Sequence, residues 1–195
     1  NGASVDGSTL LIGAPDTVDI AAEVTSPSGV SLPDVAVSFD DGSDVITIQT
    51  IESGLSNAAI TNGSDILISG SLDYVSSSKS ISSQDALDAL RLAVGMDTQN
   101  GSSTAFDYIA ADFNQDGKVT SSDALEILKY AVGLPTTEQA EWVFVDTNGD
   151  YSGVSKSNTN YTEGVSIDDI TSDATIGLTG ILIGDVNDSY SGLIA

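Results

Sequence analysis

Residues 112–123 read Asp112-Phe-Asn114-Gln-Asp116-Gly117-Lys118-Val119-Thr120-Ser121-Ser122-Asp123. Side-chain oxygens stand at the first, third, fifth, ninth and twelfth places, and a glycine stands at the sixth. Short oxygen donors on alternate residues, followed by a residue that permits a sharp reversal, wrap a hard cation such as calcium. Lys118, at the seventh place, would offer its main-chain carbonyl, so its side chain is immaterial to ligation. Val119 should point inward and pair with a second loop through backbone bonds. The twelfth place holds Asp123, where Glu is usual. Asp is one methylene shorter, so the following helix must sit closer to the ion. The calcium ligands predicted here are Asp112, Asn114, Asp116, Lys118, Thr120 and Asp123.

The next residues, Ala124 to Pro135, predict a helix over 123–132. Leu125, Leu128 and Val132 recur at helical spacing, and Gly133 followed by Pro135 stops the helix. Residues 104–111 make at most a short entering turn. A calcium loop of EF-hand type with a strong exiting helix and a weak entering one resembles a dockerin repeat. A second copy supports the resemblance. Ser82–Met96 aligns with Thr120–Leu134 at an offset of 38 residues, with eight identities in fifteen places, and dockerins are built from two such repeats. The first loop departs from the pattern: Tyr74 replaces the first ligand, Ser76 and Ser78 the third and fifth, and Lys79 the turn glycine. Serine hydroxyls are poor calcium ligands beside carboxylates, so this loop is expected to have lost its metal, with Asp73 able to restore it in part. The resemblance implies calcium as cofactor and a cohesin partner bound through the helix faces. It also implies recognition at Ser121-Ser122 and at Ser83-Gln84. The bland role for Ser83 and Ser121 is helix capping.

Composition narrows the function. The chain has 195 residues, with 29 Asp and Glu against five Lys and Arg, for a net charge of −24. No basic stripe exists to displace counterions from nucleic acid, and anionic membrane surfaces are disfavoured for the same reason. There is no Cys and no His, which excludes disulfides, thiol nucleophiles and His-based triads. No apolar run reaches the length of a membrane span. No signal peptide is visible at Asn1, so the chain is expected to be a processed product or a fragment. The Ser-, Thr-, Asp- and Gly-rich composition suits a secreted protein of the bacterial cell surface, where calcium is plentiful enough to fill weak loops. Carboxylate pairs are the one catalytic option left, and nothing marks a particular pair, so no enzyme is expected.

The expected fold is α+β and mainly β: an Ig- or cohesin-like sandwich with an inserted dockerin-like two-helix calcium unit. Residues 1–72 supply short strands at Thr9–Ile12, Val18–Val24, Val35–Phe39, Val45–Ile51 and Ile66–Ser69. In the fourth of these, Val45, Thr47, Gln49 and Ile51 should face one way, and Ile46, Ile48 and Thr50 the other. Asp16, Asp19 and Asp40-Asp41-Gly42 read as turns without metal. Residues 73–135 form the helical unit, with the apolar residues of the link between repeats packed under the helices. Residues 136–195 return to β through Trp142–Val145 and 177–183, and are expected to complete the β body and cover part of the helices. Two further acidic loops follow these strands: Asp146, Asn148, Asp150 and Ser152, then Asp185, Asn187 and Ser189. Both are secondary calcium candidates. Asp168-Asp169 reads as a helix N-terminus or a turn. The expected function is a calcium-stabilised, non-catalytic structural or adhesive module, a homo-oligomer or polymer built by lending Thr9–Ile12 or Ile181–Ile183 to a neighbour. The alternative is a dockerin that binds a cohesin in trans.

Overall fold

The computed structural model describes residues 17–74 and 79–190. The protein is α+β, and its described residues form eight strands in two four-stranded sheets and three helices. The strands are β1 (Thr17–Thr25), β2 (Ala36–Asp40), β3 (Val45–Gln49), β4 (Leu55–Thr61), β5 (Ser64–Ser71), β6 (Trp142–Asp146), β7 (Val165–Ile170) and β8 (Ala174–Leu182). One sheet runs β4-β1-β8-β6 and the other β3-β2-β5-β7. Strands from the C-terminal third therefore complete both sheets: β8 pairs parallel to β1, and β7 pairs antiparallel to β5.

Side-chain alternation explains the outer strands. In β1, Val18, Ile20, Ala22 and Val24 are buried while Thr17, Asp19, Ala21 and Glu23 face outward. In β3, Ile46 and Ile48 turn towards the core while Val45, Thr47 and Gln49 are exposed, as expected. The inner strand β8 and its neighbour β6 break the alternation. Leu178 through Leu182 and Trp142 through Val145 are all buried, with α2, the helix Ala105–Ala111, packed against β8. Phe144 joins the layers. An added Cβ on Gly70 of β5 would sit 2.5 Å from the Phe144 ring, and one on Gly180 of β8 would sit 2.8 Å from it. These two glycines leave the slot that the ring fills.

The helices are α1 (Ser83–Ala93), α2 (Ala105–Ala111) and α3 (Ser121–Ala131). Each starts with the same reciprocal cap, in which a Ser or Thr side chain and an Asp three residues later exchange bonds with backbone N–H groups. The caps are Ser82, Thr104 and Thr120. Ser83 and Ser121, expected as caps, are instead the first helical residues. The weak entering turn is a full two-turn helix, α2, whose Ile109, Ala110 and Ala111 are buried.

Other expectations are corrected. Asp168 and Asp169 lie within β7, where Asp169 takes a left-handed φ of 50° at a register shift against β5. Asp19 lies inside β1 and not in a turn, whereas Asp40-Asp41-Gly42 does turn, with Gly42 N–H donating to Asp40. Ile181 and Leu182 belong to an inner strand bonded on both sides, so Ile181–Ile183 is not available for donation to a neighbour. Thr9–Ile12 and Asp16 lie outside the described residues. Leu125, Leu128 and Val132 do not face the core. Ile127 and Ala124 do, and the C-terminal segment leaves the Leu125 side of α3 uncovered.

Candidate functional site

The 112–123 loop is built between α2 and α3, with Asp112 closing the first helix and Asp123 opening the second. Gln115 and Gly117 take left-handed φ values of 53° and 87°, which bend the chain around the space between the two carboxylates. Asp112 accepts the N–H of Asp116 at 3.1 Å and that of Gly117 at 2.9 Å. Asp123 accepts the N–H of Asn114 at 3.2 Å and that of Thr120 at 2.9 Å, and the Thr120 hydroxyl at 2.9 Å. Both carboxylates are buried. Burial pushes the Asp112 carboxyl above the usual range, the nearby Asp123 adds to the rise, and bonds from Thr159 and Gly117 oppose it. Two buried acids that face each other call for a cation.

The residues present fit calcium. Asp112, Asn114, Asp116, Thr120 and Asp123 bring acid, amide and hydroxyl oxygens to one loop, and Lys118 can add its carbonyl. Among the described residues no three acidic side chains stand close enough to enclose an ion by themselves, and Asp116 is exposed. Closing the cage therefore requires the Asp116 carboxylate to turn inward.

One member of the site gave no sequence signal. Residues 153–160 fold into a tight turn that braces the loop from outside. Thr159 is buried, donates its hydroxyl to Asp112, and donates its N–H to the Gly117 carbonyl at 3.1 Å. Val119 N–H donates to the Lys156 carbonyl at 2.8 Å. The second loop expected to pair with Val119 is thus this turn. Lys156 also reaches the Ala93 carbonyl at the end of α1, at 3.3 Å.

Asp146, Asn148, Asp150 and Ser152 form consecutive turns: Asp146 accepts Asn148 N–H at 2.8 Å and Asp150 accepts Ser152 N–H at 3.0 Å. Asp150 is exposed, and bonds from Ser152 hold its carboxyl below the usual range. These side chains answer to their own backbone. Asp185, Asn187 and Ser189 lie beyond β8, where Asn187 and Ser189 bond to Asp85 and Ser80 at the start of α1.

The second feature is a surface. On α1, Leu87, Leu90 and Val94 are exposed, and on α3 the equivalent Leu125, Leu128 and Val132 are exposed by 52%, 40% and 61%. Between the packed helices runs a groove of about 330 Å³ floored by Ala86 and Ala124, with Ser83 and Ser121 at its rim. Isolated surface leucines are ordinary, but two matching rows around one groove are the pattern of an interaction surface.

Residues 78–131 and 110–153 each match the model of the type I dockerin domain. No curated protein and no solved structure matches the chain. Type I dockerins are non-catalytic, calcium-binding modules that dock cohesins. Among the described residues no helix is long and apolar enough to cross a membrane. The chain thus contains a type I dockerin-like region across residues 78–153.

Proposed function

We propose that this protein is an extracellular docking module in which calcium, held by Asp112, Asn114, Asp116, the Lys118 carbonyl, Thr120 and Asp123, fixes α3 beside α1. Their shared apolar face then receives a cohesin-type partner. The observation that carries the reading is that face: six aliphatic side chains, related in pairs by the internal repeat, are exposed together along α1 and α3 beside one apolar groove. Ligand carboxylates repel one another until the ion binds, so calcium and the local fold are coupled. The module's role is recognition, with no catalytic part.

The test is binding of purified type I cohesins to the chain in millimolar calcium and in chelator. Calcium-dependent binding should fall at least tenfold in Leu87→Glu and Leu125→Glu, since buried charge at the centre of an interface costs more than 1.4 kcal/mol. Both positions are exposed, so melting temperatures should hardly change. Binding unaffected by either substitution would refute the assigned surface. A second reading, calcium-dependent assembly of copies at the cell surface, draws on β3, β4 and β7, which end their sheets among the described residues. Size-exclusion chromatography in calcium separates it, because oligomers without cohesin binding favour assembly.

A further inference from the structure

The first repeat lacks its own loop ligands, yet its helix α1 keeps the acid that closes a calcium loop: Asp85 aligns with Asp123 and is wholly buried. Residues 185–190 approach that acid from the far end of the chain. Asn187 N–H donates to Asp85 Oδ1 at 3.2 Å, as Asn114 N–H does to Asp123 Oδ1 at 3.2 Å. Ser189 and Tyr190 N–H groups donate to the two oxygens of Asp185, both at 2.9 Å. Asp116 and Gly117 treat the two oxygens of Asp112 in the same way, at 3.1 and 2.9 Å. Asp188 takes a left-handed φ of 49° at the fourth place, where Gln115 has 53°. Ser82 N–H and hydroxyl bind Asp85 Oδ2 at 2.9 and 2.8 Å, as Thr120 binds Asp123 Oδ2 at 2.9 Å by each group. The Ser80 carbonyl, which aligns with that of Lys118, accepts the Ser189 hydroxyl at 2.9 Å.

We propose that Asp185, Asn187, Ser189, the Ser80 carbonyl, Ser82 and Asp85 form a second calcium site, split between the start of α1 and the loop after β8, in which that later loop replaces the lost half of the first repeat's loop. The proposal rests on the reading of 112–123 as a calcium loop, because it is that loop's hydrogen-bond frame that recurs. Independent of the frame, the Asn187 Oδ1 atom is buried without a hydrogen-bond donor. It occupies the third ligand position, and an unpaired buried carbonyl oxygen is costly unless something positive meets it. Asp85 and Asp185 are both buried, and among the described residues no basic side chain pairs with either. Serine at the fifth position supplies no charge, so this site should be the weaker of the two. Tyr190 at the sixth position packs edge-on against Trp142, with centroids 4.8 Å apart, so the loop's order is reported by the chain's one tryptophan.

The experiment is a calorimetric calcium titration of the full chain and of Asp185→Ala, Asp85→Asn and Asp112→Ala, each followed by Trp142 emission. The wild type should bind two ions. Asp185→Ala and Asp85→Asn should each lose one ion and the calcium-dependent change in Trp142 emission. Asp112→Ala should also lose one ion but keep the emission change. Two ions retained in both Asp185→Ala and Asp85→Asn, while Asp112→Ala loses one, would overturn the split site and leave the 112–123 loop standing. A wild type that binds no calcium at all would overturn both.

Discussion

Asp112 and Asp185 are buried acids that pair with no basic side chain among the described residues, and their behaviour should reveal what neutralises them. Removing the Asp112 carboxylate costs whatever calcium contributes by binding only the folded state, about 2.7 kcal/mol at a hundredfold excess over Kd. For a chain of this length that is about 5–10 °C in melting temperature. Asp112→Ala should therefore melt about 5–10 °C below wild type in millimolar calcium and close to it in chelator, and equal shifts in both would contradict the assignment. Asp185 makes an opposite prediction about pH in the absence of metal. Burial first, and then the neighbouring Asp85, push its carboxyl up to about 7 against bonds from Ser189 and Tyr190. Between the unfolded value near 3.8 and about 7 the folded chain holds a proton that the unfolded chain releases. In chelator, stability should thus be greatest on the acid side and fall as pH rises through that window. Thermal unfolding at pH 5 and pH 8 in chelator checks this, and greater stability at pH 8 would contradict it.

At the scale of elements, the helices show what a linear pattern can and cannot tell. The spacing of Leu87, Leu90 and Val94, and of Leu125, Leu128 and Val132, correctly gives two helices with one apolar stripe each. It does not say whether the stripe meets a core or a partner. Ala86, Ala89 and Ala124 face inward, small enough for α1 and α3 to lie close, and Ile127 fills the core beneath them. Strands were legible where side chains alternate, as in β1, or run wholly apolar, as in β6. Leu55-Ser-Asn-Ala-Ala-Ile-Thr61 escaped notice, since Ser56, Ala58 and Ile60 make a weak buried row. Val165–Ile170 escaped because Asp168 and Asp169 interrupt it, yet those acids sit on the solvent side at an irregular register. The 112–123 loop was legible because its ligands are local in sequence. The 185–190 loop was legible as an acidic loop, but its pairing with Asp85 was not, and neither was Thr159, because these contacts with Asp85 and Asp112 span 102 and 47 residues.

At the scale of the molecule, the dockerin-like region is wired into the sheets. Gly184 N–H donates to the Ala110 carbonyl at 2.8 Å, and an added Cβ there would meet both Ile81 and Phe113 at 3.0 Å. The core is one contiguous cluster running from Val18 through Ile127 to Val186. Disturbing the sheets should therefore be felt at the calcium loops. Phe144→Ala removes the ring that Gly70 and Gly180 accommodate and should cost about 3–5 kcal/mol. Denaturant unfolding should show that loss as a single transition shared by Trp142 emission and helical circular dichroism. Two separate transitions would mean that the β body and the helices fold apart. The most direct measurement is a diffraction map at high resolution from crystals grown in millimolar calcium. The expected result is an ion among Asp112, Asn114, Asp116 and Asp123, with Asp116 turned inward to meet it. Solvent or empty density there at full calcium occupancy conditions would contradict the reading of this loop.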